Sequence, residues 1–413
     1  MFFTSKRLKL YLGALLVLQV CTLISGISPV RGGFIDFRSF YTAGHMLRTG
    51  HATQLYDYAA EQLLQNTVVT PAPRALPMMS PPFTALLFVP LSLLSFWPAY
   101  TVFAIINILL LVACIILVKP FLTALSSRWN PTPALLFLTF LPAAIALLMG
   151  QLSILLLLLY SACFIALRRD RNFVAGLILS LALMKFQIAL PIAALFLLWR
   201  QWRFFAGFLT GGAVLTALSL RILGADAFLP YLRSLFSMTR AVSADRYTQL
   251  HFAILPHEMP NLYGLLFVLA RGAAWSHLLI LAASLVLFLW TIRQRPSLPL
   301  ALLTAMLVSY HLFFYDLTLL LLPLSLLADQ LLRNPTPEQP ANRRLLITQI
   351  SLGTLLCAPF IRLLIAADET CWLALPILAL TLASTWWPAL HGPPDPAPLA
   401  EPSLELAASS VAT

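Results

Sequence analysis

Residues 97–118 read WPAYTVFAIINILLLVACIILV. No charged residue interrupts them, and the run exceeds the roughly 20 apolar residues that carry a helix across a bilayer core. Similar runs recur from one end of the chain to the other. Their spans are 9–28, 97–118, 133–149, 152–168, 172–184, 187–199, 204–222, 275–292, 298–314, 316–332, 345–366 and 371–390. Residues 172–199 read either as two helices or as one long bent one, because Lys185 and Gln187 interrupt them.

Composition agrees with that reading. Apolar residues make up 60% of the 413 and charged residues 10%, where soluble domains carry about 25% charge. Mean hydropathy is +0.88. The fold class is therefore an all-α polytopic membrane protein, a bundle of about 12 transmembrane helices filling residues 1–390. Residues 391–413 are Pro/Ala-rich, lack core-forming residues and read as a disordered tail.

The formal charge of +11 comes from short basic clusters between apolar runs, which orient helices rather than bind nucleic acid. With the N-terminus inside, the cytoplasmic links hold Lys119, Arg128, RRDR (168–171), WRQWR (199–203), RQR (293–295), Arg333, Arg343 and Arg344. The short links on the other side hold Lys185. Both termini are then cytoplasmic, in a plasma (inner) membrane. Lys6, Arg7 and Lys9 precede the first run, and no A-x-A-like site follows it, as in an uncleaved signal anchor. The five cysteines lie in or beside apolar runs without CxxC spacing, so they read as small hydrophobes. No metal motif and no cofactor motif is found.

Two outer segments, 29–96 and 223–274, are long enough to carry function. In the first, Phe37, Phe40, Tyr41 and Leu47 recur at helical spacing opposite Arg38, Thr42, His45 and Thr49. That pattern predicts an amphipathic helix on the membrane surface, closed by Gly50. A second helix is expected over about Asp57–Asn66. The Pro-broken stretch 78–98 then reads as a half-embedded interfacial helix.

Polar groups near the outer helix ends are the candidates for function, because each is costly unless paired, wetted or used. Asp36 reads as the N-cap of the helix that follows it, as a general base at the membrane face, or as both, since the two roles do not exclude each other. His311 and Asp316 lie where two helices hand over, and Asp316 is either a cap or part of a site. Lys185 either snorkels to the headgroups or meets a phosphate, with Gln187 beside it. Gln151 sits in a tight outer turn. Arg240 and Arg246 of the second outer loop meet lipid headgroups or a lipid phosphate. Arg38, Tyr41 and Tyr315 are further candidates to line a cavity. His257 and Glu258 match no metal-ligand spacing.

The stretches IDFRSFYTAGHMLRTG with QLYD (35–57), SPPFTALLFVPLSLL (80–94), MGQLSILLLL (149–158), LMKFQIALPIAALFLLWRQWR (183–203) and YHLFFYDLTLLLLP (310–323) occur in a fixed order. Together they resemble glycosyltransferase family 87, the polyprenol-phosphate-mannose-dependent mannosyltransferases of the GT-C superfamily. The resemblance implies a multi-helix enzyme whose site faces away from the cytoplasm. It also implies an acidic catalytic residue in the first outer loop, which falls on Asp36, and a histidine near the site, for which His311 is the candidate. The implied partners are a polyprenyl-phosphate sugar donor, a glycolipid or glycan acceptor and membrane lipids. The rival reading is a multi-pass transporter or lipid-linked-sugar flippase without catalysis. Against it, most ionisable residues sit at helix ends, no charge is buried at mid-helix to couple to an ion gradient, and no convincing repeat relates the two halves.

Overall fold

Every regular element among the described residues is a helix. The structure is a computed structural model and describes residues 5–224, 228, 231, 232, 255–333, 343–365 and 369–383. The expected tail at 391–413 lies outside the described residues, as do Arg240, Arg246 and most of the second outer loop.

The first outer segment lies between α1 (Ser5–Arg31) and α4 (Phe96–Val118), and holds α2 (Phe37–Arg48) and α3 (Tyr58–Val68). Next come α5 (Thr123–Arg128), α6 (Thr132–Leu138), α7 (Leu141–Met149), α8 (Ser153–Arg168), α9 (Asn172–Leu181), α10 (Phe186–Leu198) and α11 (Trp202–Leu223). Within residues 223–274 lies α12 (Leu262–Leu269), and after them follow α13 (Ser276–Ile292), α14 (Leu298–Val308), α15 (Leu321–Arg333), α16 (Arg343–Ile365) and α17 (Ala374–Ala383).

Five stretches are long and apolar enough to cross a bilayer: 9–27, 96–121, 172–198, 202–223 and 314–333. The bent pair α6–α7, angled at 50°, makes a sixth if counted as one span. Four further apolar helices are shorter, at 10–17 residues. The twelve expected crossings are thus not twelve full-length helices among the described residues. Residues 172–198 form one broken span, as the second of the two sequence readings has it. The expected helix 298–314 stops at Val308, because Ser309–Phe313 run without helical structure.

Burial sorts the helices into inner and outer ones. In α14 every residue from Leu298 to Leu307 is buried. By contrast, α4 exposes Ile105, Leu109 and Ile116, and α13 exposes Leu278, Leu281 and Val286. A helix apolar all round, with large side chains left outside, is matched to lipid rather than to water. Helices α9 and α11 pack at backbone contact. A Cβ on Gly176 would lie 1.9 Å from Phe204 O, and one on Gly207 would lie 2.0 Å from Phe173 O. Without a hydrophobic drive between helices in lipid, such small-residue contacts let dispersion hold them together.

The first outer segment corrects an expectation. Helix α2, expected to face lipid on one side and water on the other, has protein packed against both faces over Phe37–Gly44. Phe37 packs against Phe88, Phe96, Tyr100 and Phe103, and Phe40 stacks on Phe88 at 4.9 Å. On the opposite face, fully buried Arg38 reaches α3. It donates to Gln65 Oε1 (2.9 Å), Asn66 Oδ1 (3.1 Å), Thr70 Oγ1 (3.2 Å) and Thr70 O (2.6 Å). The polar stripe is thus buried at Arg38 and Thr42, half-buried at His45 and exposed only at Thr49. Helix α3 starts where expected, capped by Asp57, whose Oδ1 accepts from Ala59 and Ala60 N–H. The Pro-broken stretch forms two short 3-10 turns, 82–88 and 91–93, before α4 begins at Phe96.

Candidate active site

Asp36 occupies the N-cap position of α2 but does not cap it. Its backbone is already right-handed helical (φ −62°, ψ −27°), and its carboxylate makes no capping bond. The side chain turns instead to Gln151, whose Nε2 donates to Oδ2 at 2.7 Å. Geometry thus removes one of the two readings that the sequence left open.

Gly150 makes that meeting possible. It ends α7 in the left-handed region (φ +65°), where a glycine meets no steric penalty. A Cβ there would lie 2.5 Å from Phe37 Cβ. The α7–α8 turn therefore seats directly on the start of α2, which puts Gln151 beside Asp36.

Lys185 arrives from the break between α9 and α10. Its own backbone leaves the helical region (φ −122°, ψ 69°), so its side chain points inward rather than along the span. The lysine does not snorkel. It is buried and ion-paired to Asp316, with its ammonium 4.7 Å from the centre of the Tyr315 ring. Asp316 is saturated: Ser153 Oγ donates to its Oδ1 at 2.8 Å and Phe313 N–H to its Oδ2 at 3.2 Å. It therefore both caps the 3-10 turn 314–320 and fixes the lysine. Ser153, two residues beyond Gln151, was not singled out in the sequence. Only its place after the Gly-Gln turn hints at it.

His311 lies in the non-helical link before that turn. Its carbonyl accepts from Ser309 Oγ (2.9 Å) and distantly from Gln187 Nε2 (3.5 Å), and its ring packs edge-on to Phe313 at 4.6 Å. Burial lowers its pKa to about 4, with Lys185 lowering it further and Asp316 opposing. It is a neutral imidazole at pH 7, able to donate or accept but not a resident cation. Burial raises the Asp36 carboxyl above its usual range; Gln151 and Lys185 pull it down, and Asp316 pushes it up. Glu258 is close enough to act electrostatically on Tyr315, as are Asp36 and Asp316.

Asp36, Gln151, Lys185, Gln187, His311, Tyr315 and Asp316 are thus brought to one place. Two cavity candidates are not free to line one. Arg38 is spent on α3, and Tyr41 is buried in the aromatic cluster with its hydroxyl donating to Leu94 O at 2.9 Å. Arg240 and Arg246 lie outside the described residues. A cleft of about 220 Å³ lies beside the cluster, lined by Tyr263, His277, Ser284, Ser309 and Tyr310 among others. Asp36 does not line it. Among the described residues, no three His, Cys, Asp or Glu side chains gather as a metal set.

The sequence model described as glycosyltransferase family 87 matches residues 80–323, more than half of the chain. The chain belongs to glycosyltransferase family 87. As a member of that family it is a membrane glycosyltransferase, acting on a sugar donor and an acceptor. The matched range takes in Gln151, Lys185, His311 and Asp316 and begins after Asp36. No curated protein and no solved structure shows a match.

Proposed function

We propose that this glycosyltransferase moves a hexose, mannose first among the choices, from a polyprenyl-phosphate donor to a lipid or glycan acceptor. Transfer takes place at the outer face of the plasma membrane, with Asp36 as general base and inversion at the anomeric carbon. The observation that carries this reading is that the Asp36 carboxylate, freed from capping, lies in a cluster with a buried lysine. The likeness to the polyprenol-phosphate-mannose enzymes of the GT-C type supplies the donor class.

In a single displacement, an acceptor hydroxyl oxygen attacks the anomeric carbon and its proton passes to Asp36 Oδ1 or Oδ2. The bond from that carbon to the phosphate oxygen breaks, and polyprenyl phosphate leaves as an anion. Glycoside hydrolases add a second carboxyl group to protonate the departing oxygen. A phosphate needs no such proton, so one base suffices. Electrostatic help at the leaving oxygen matters more, and Lys185 is the nearest lysine to supply it. His311 contributes as a neutral hydrogen-bond donor.

The orientation rests on charge. Helix α8 leaves the cluster at Ser153 and reaches Arg168, α10 runs from Phe186 toward Arg200 and Arg203, and α15 ends at Arg333. Basic links thus stand at the far ends of the helices that build the site, as the positive-inside rule asks of a cytoplasmic side. The test is sugar transfer from radiolabelled polyprenyl-phosphate-mannose to membrane lipids, with wild type and Asp36→Asn compared. Loss by about 10²–10⁴-fold in a folded mutant is expected. Equal transfer by both would remove Asp36 from the chemistry.

A further inference from the structure

Gln151 spends its amide on a single partner. Its Nε2 donates to Asp36 Oδ2, only 5% of the residue is exposed, and its buried Oε1 has no hydrogen-bond partner among the described residues. An orphaned buried carbonyl is destabilising. An apolar side chain of the same length would avoid that cost, so the N–H donation is what the amide contributes here.

Its direction follows from the donor inventory. An ionised carboxylate only accepts, so the NH₂ end must face Asp36. Turning the amide over would set two acceptors against each other unless Asp36 held a proton. The other groups around Asp36 do not replace this donor. Lys185, from the break between α9 and α10, is paired to Asp316. Asp316 and Tyr315, from the turn 314–320, are a like charge and a half-buried phenol. The Arg38 guanidinium faces α3.

We propose that Gln151 is a positioning residue for Asp36, holding its carboxylate ionised and leaving Oδ1 to receive the acceptor hydroxyl. This rests on the reading of Asp36 as the base. Gln151 takes no part in the transfer itself. It acts only through the protonation state and direction of its neighbour.

The experiment titrates Asp36 directly in the purified full chain. Its carboxylic acid C=O stretch is identified in infrared difference spectra as the band missing from Asp36→Asn. Its midpoint is then followed with pH in wild type, Gln151→Leu and Gln151→Glu. A hydrogen bond to a charged group is worth about one to two pH units of midpoint, so Gln151→Leu should titrate higher by that amount. Gln151→Glu keeps the size and polarity of the side chain while setting a second carboxyl beside Asp36, and it should also titrate higher. In the transfer assay the acid limb of kcat should move with the band, activity lost at neutral pH should return at higher pH, and KM should hold. An unmoved midpoint overturns the proposal, as does a loss of transfer that no pH restores. Full transfer by Asp36→Asn alongside a shifted midpoint would sink the base reading while leaving the Gln151–Asp36 relation in place.

Discussion

Lys185 and Asp316 are ion-paired across 131 positions of sequence, with 11% and 1% of their side chains exposed. Removing one partner of a buried pair strands the other, at about 3–5 kcal/mol, whereas replacing both by apolar groups is often near neutral. We expect Lys185→Met to lower the thermal unfolding midpoint in detergent sharply. Lys185→Met combined with Asp316→Leu should recover most of it but no transfer. A double variant as active as wild type would take the pair out of the chemistry.

The acid limb of activity should follow Asp36. Its folded-state carboxyl titrates above the usual range through burial, and it must be ionised to accept a proton. Activity is therefore lost as pH falls through that raised value. A pH profile of kcat/KM whose acid limb disappears in Asp36→Asn along with transfer, and lies higher than for an exposed aspartate, is the expected result; a limb at or below the ordinary aspartate range would contradict it.

Glu61 offers a stability test away from the site. Burial raises it from 4.5 to about 8, opposed by the Met78 N–H that its Oε1 accepts at 3.0 Å. The folded chain thus keeps a proton that the unfolded chain releases between those values. Its contribution to stability is full below pH 4.5 and is lost as pH rises to 8, at up to about 1.4 kcal/mol per unit. Glu61→Gln should flatten that slope and raise the unfolding midpoint at pH 8 but not at pH 5. Parallel curves for the two proteins would refute this.

Arg38→Met should loosen the segment after α3. Arg38 donates to Gln65, Asn66 and Thr70, while Gln65 Oε1 and Asn66 Oδ1 also hold the N–H groups of Leu76 and Ala72. Losing these bonds costs about 1–3 kcal/mol where a buried group is left unpaired. Exposed Arg74 lies within the segment, so trypsin should cut after it faster in the variant. Unchanged cleavage would mean the clamp is redundant.

Gly150→Ala should separate α2 from the α7–α8 turn. The left-handed backbone alone disfavours alanine by about 1–2 kcal/mol, and the new methyl group would meet Phe37. Transfer should fall more than the unfolding midpoint does, because Gln151 leaves Asp36. Unaltered activity would show that the turn can shift without cost.

The helices were legible because an uninterrupted apolar run such as 97–118 has few alternatives. Their lengths were less so. That Lys185 is paired with Asp316, 131 positions away, no local pattern reveals. The outer polar set was found by residue type and topology, and the structure gathers it. The partner of Arg38 is hidden in the sequence because its periodicity is amphipathic. A stripe that faces water and a stripe that faces Gln65 and Asn66 have the same spacing. Ser153 was missed because a serine in a Leu-rich run looks like an ordinary helix residue until its hydroxyl is seen on Asp316.

Gly176 and Gly207 lie near the first turns of α9 and α11, yet their contacts bear on the buried charge beyond the other end of α9. With α9 and α11 touching backbone to backbone, α9 has no slack along its length. Its last turn runs straight into the break that carries Lys185. The ammonium is thus held from below by a strut as well as from the side by a carboxylate. A side chain grown at Gly176 would jack the two helices apart, and the displacement would reach Lys185 at the far end of α9.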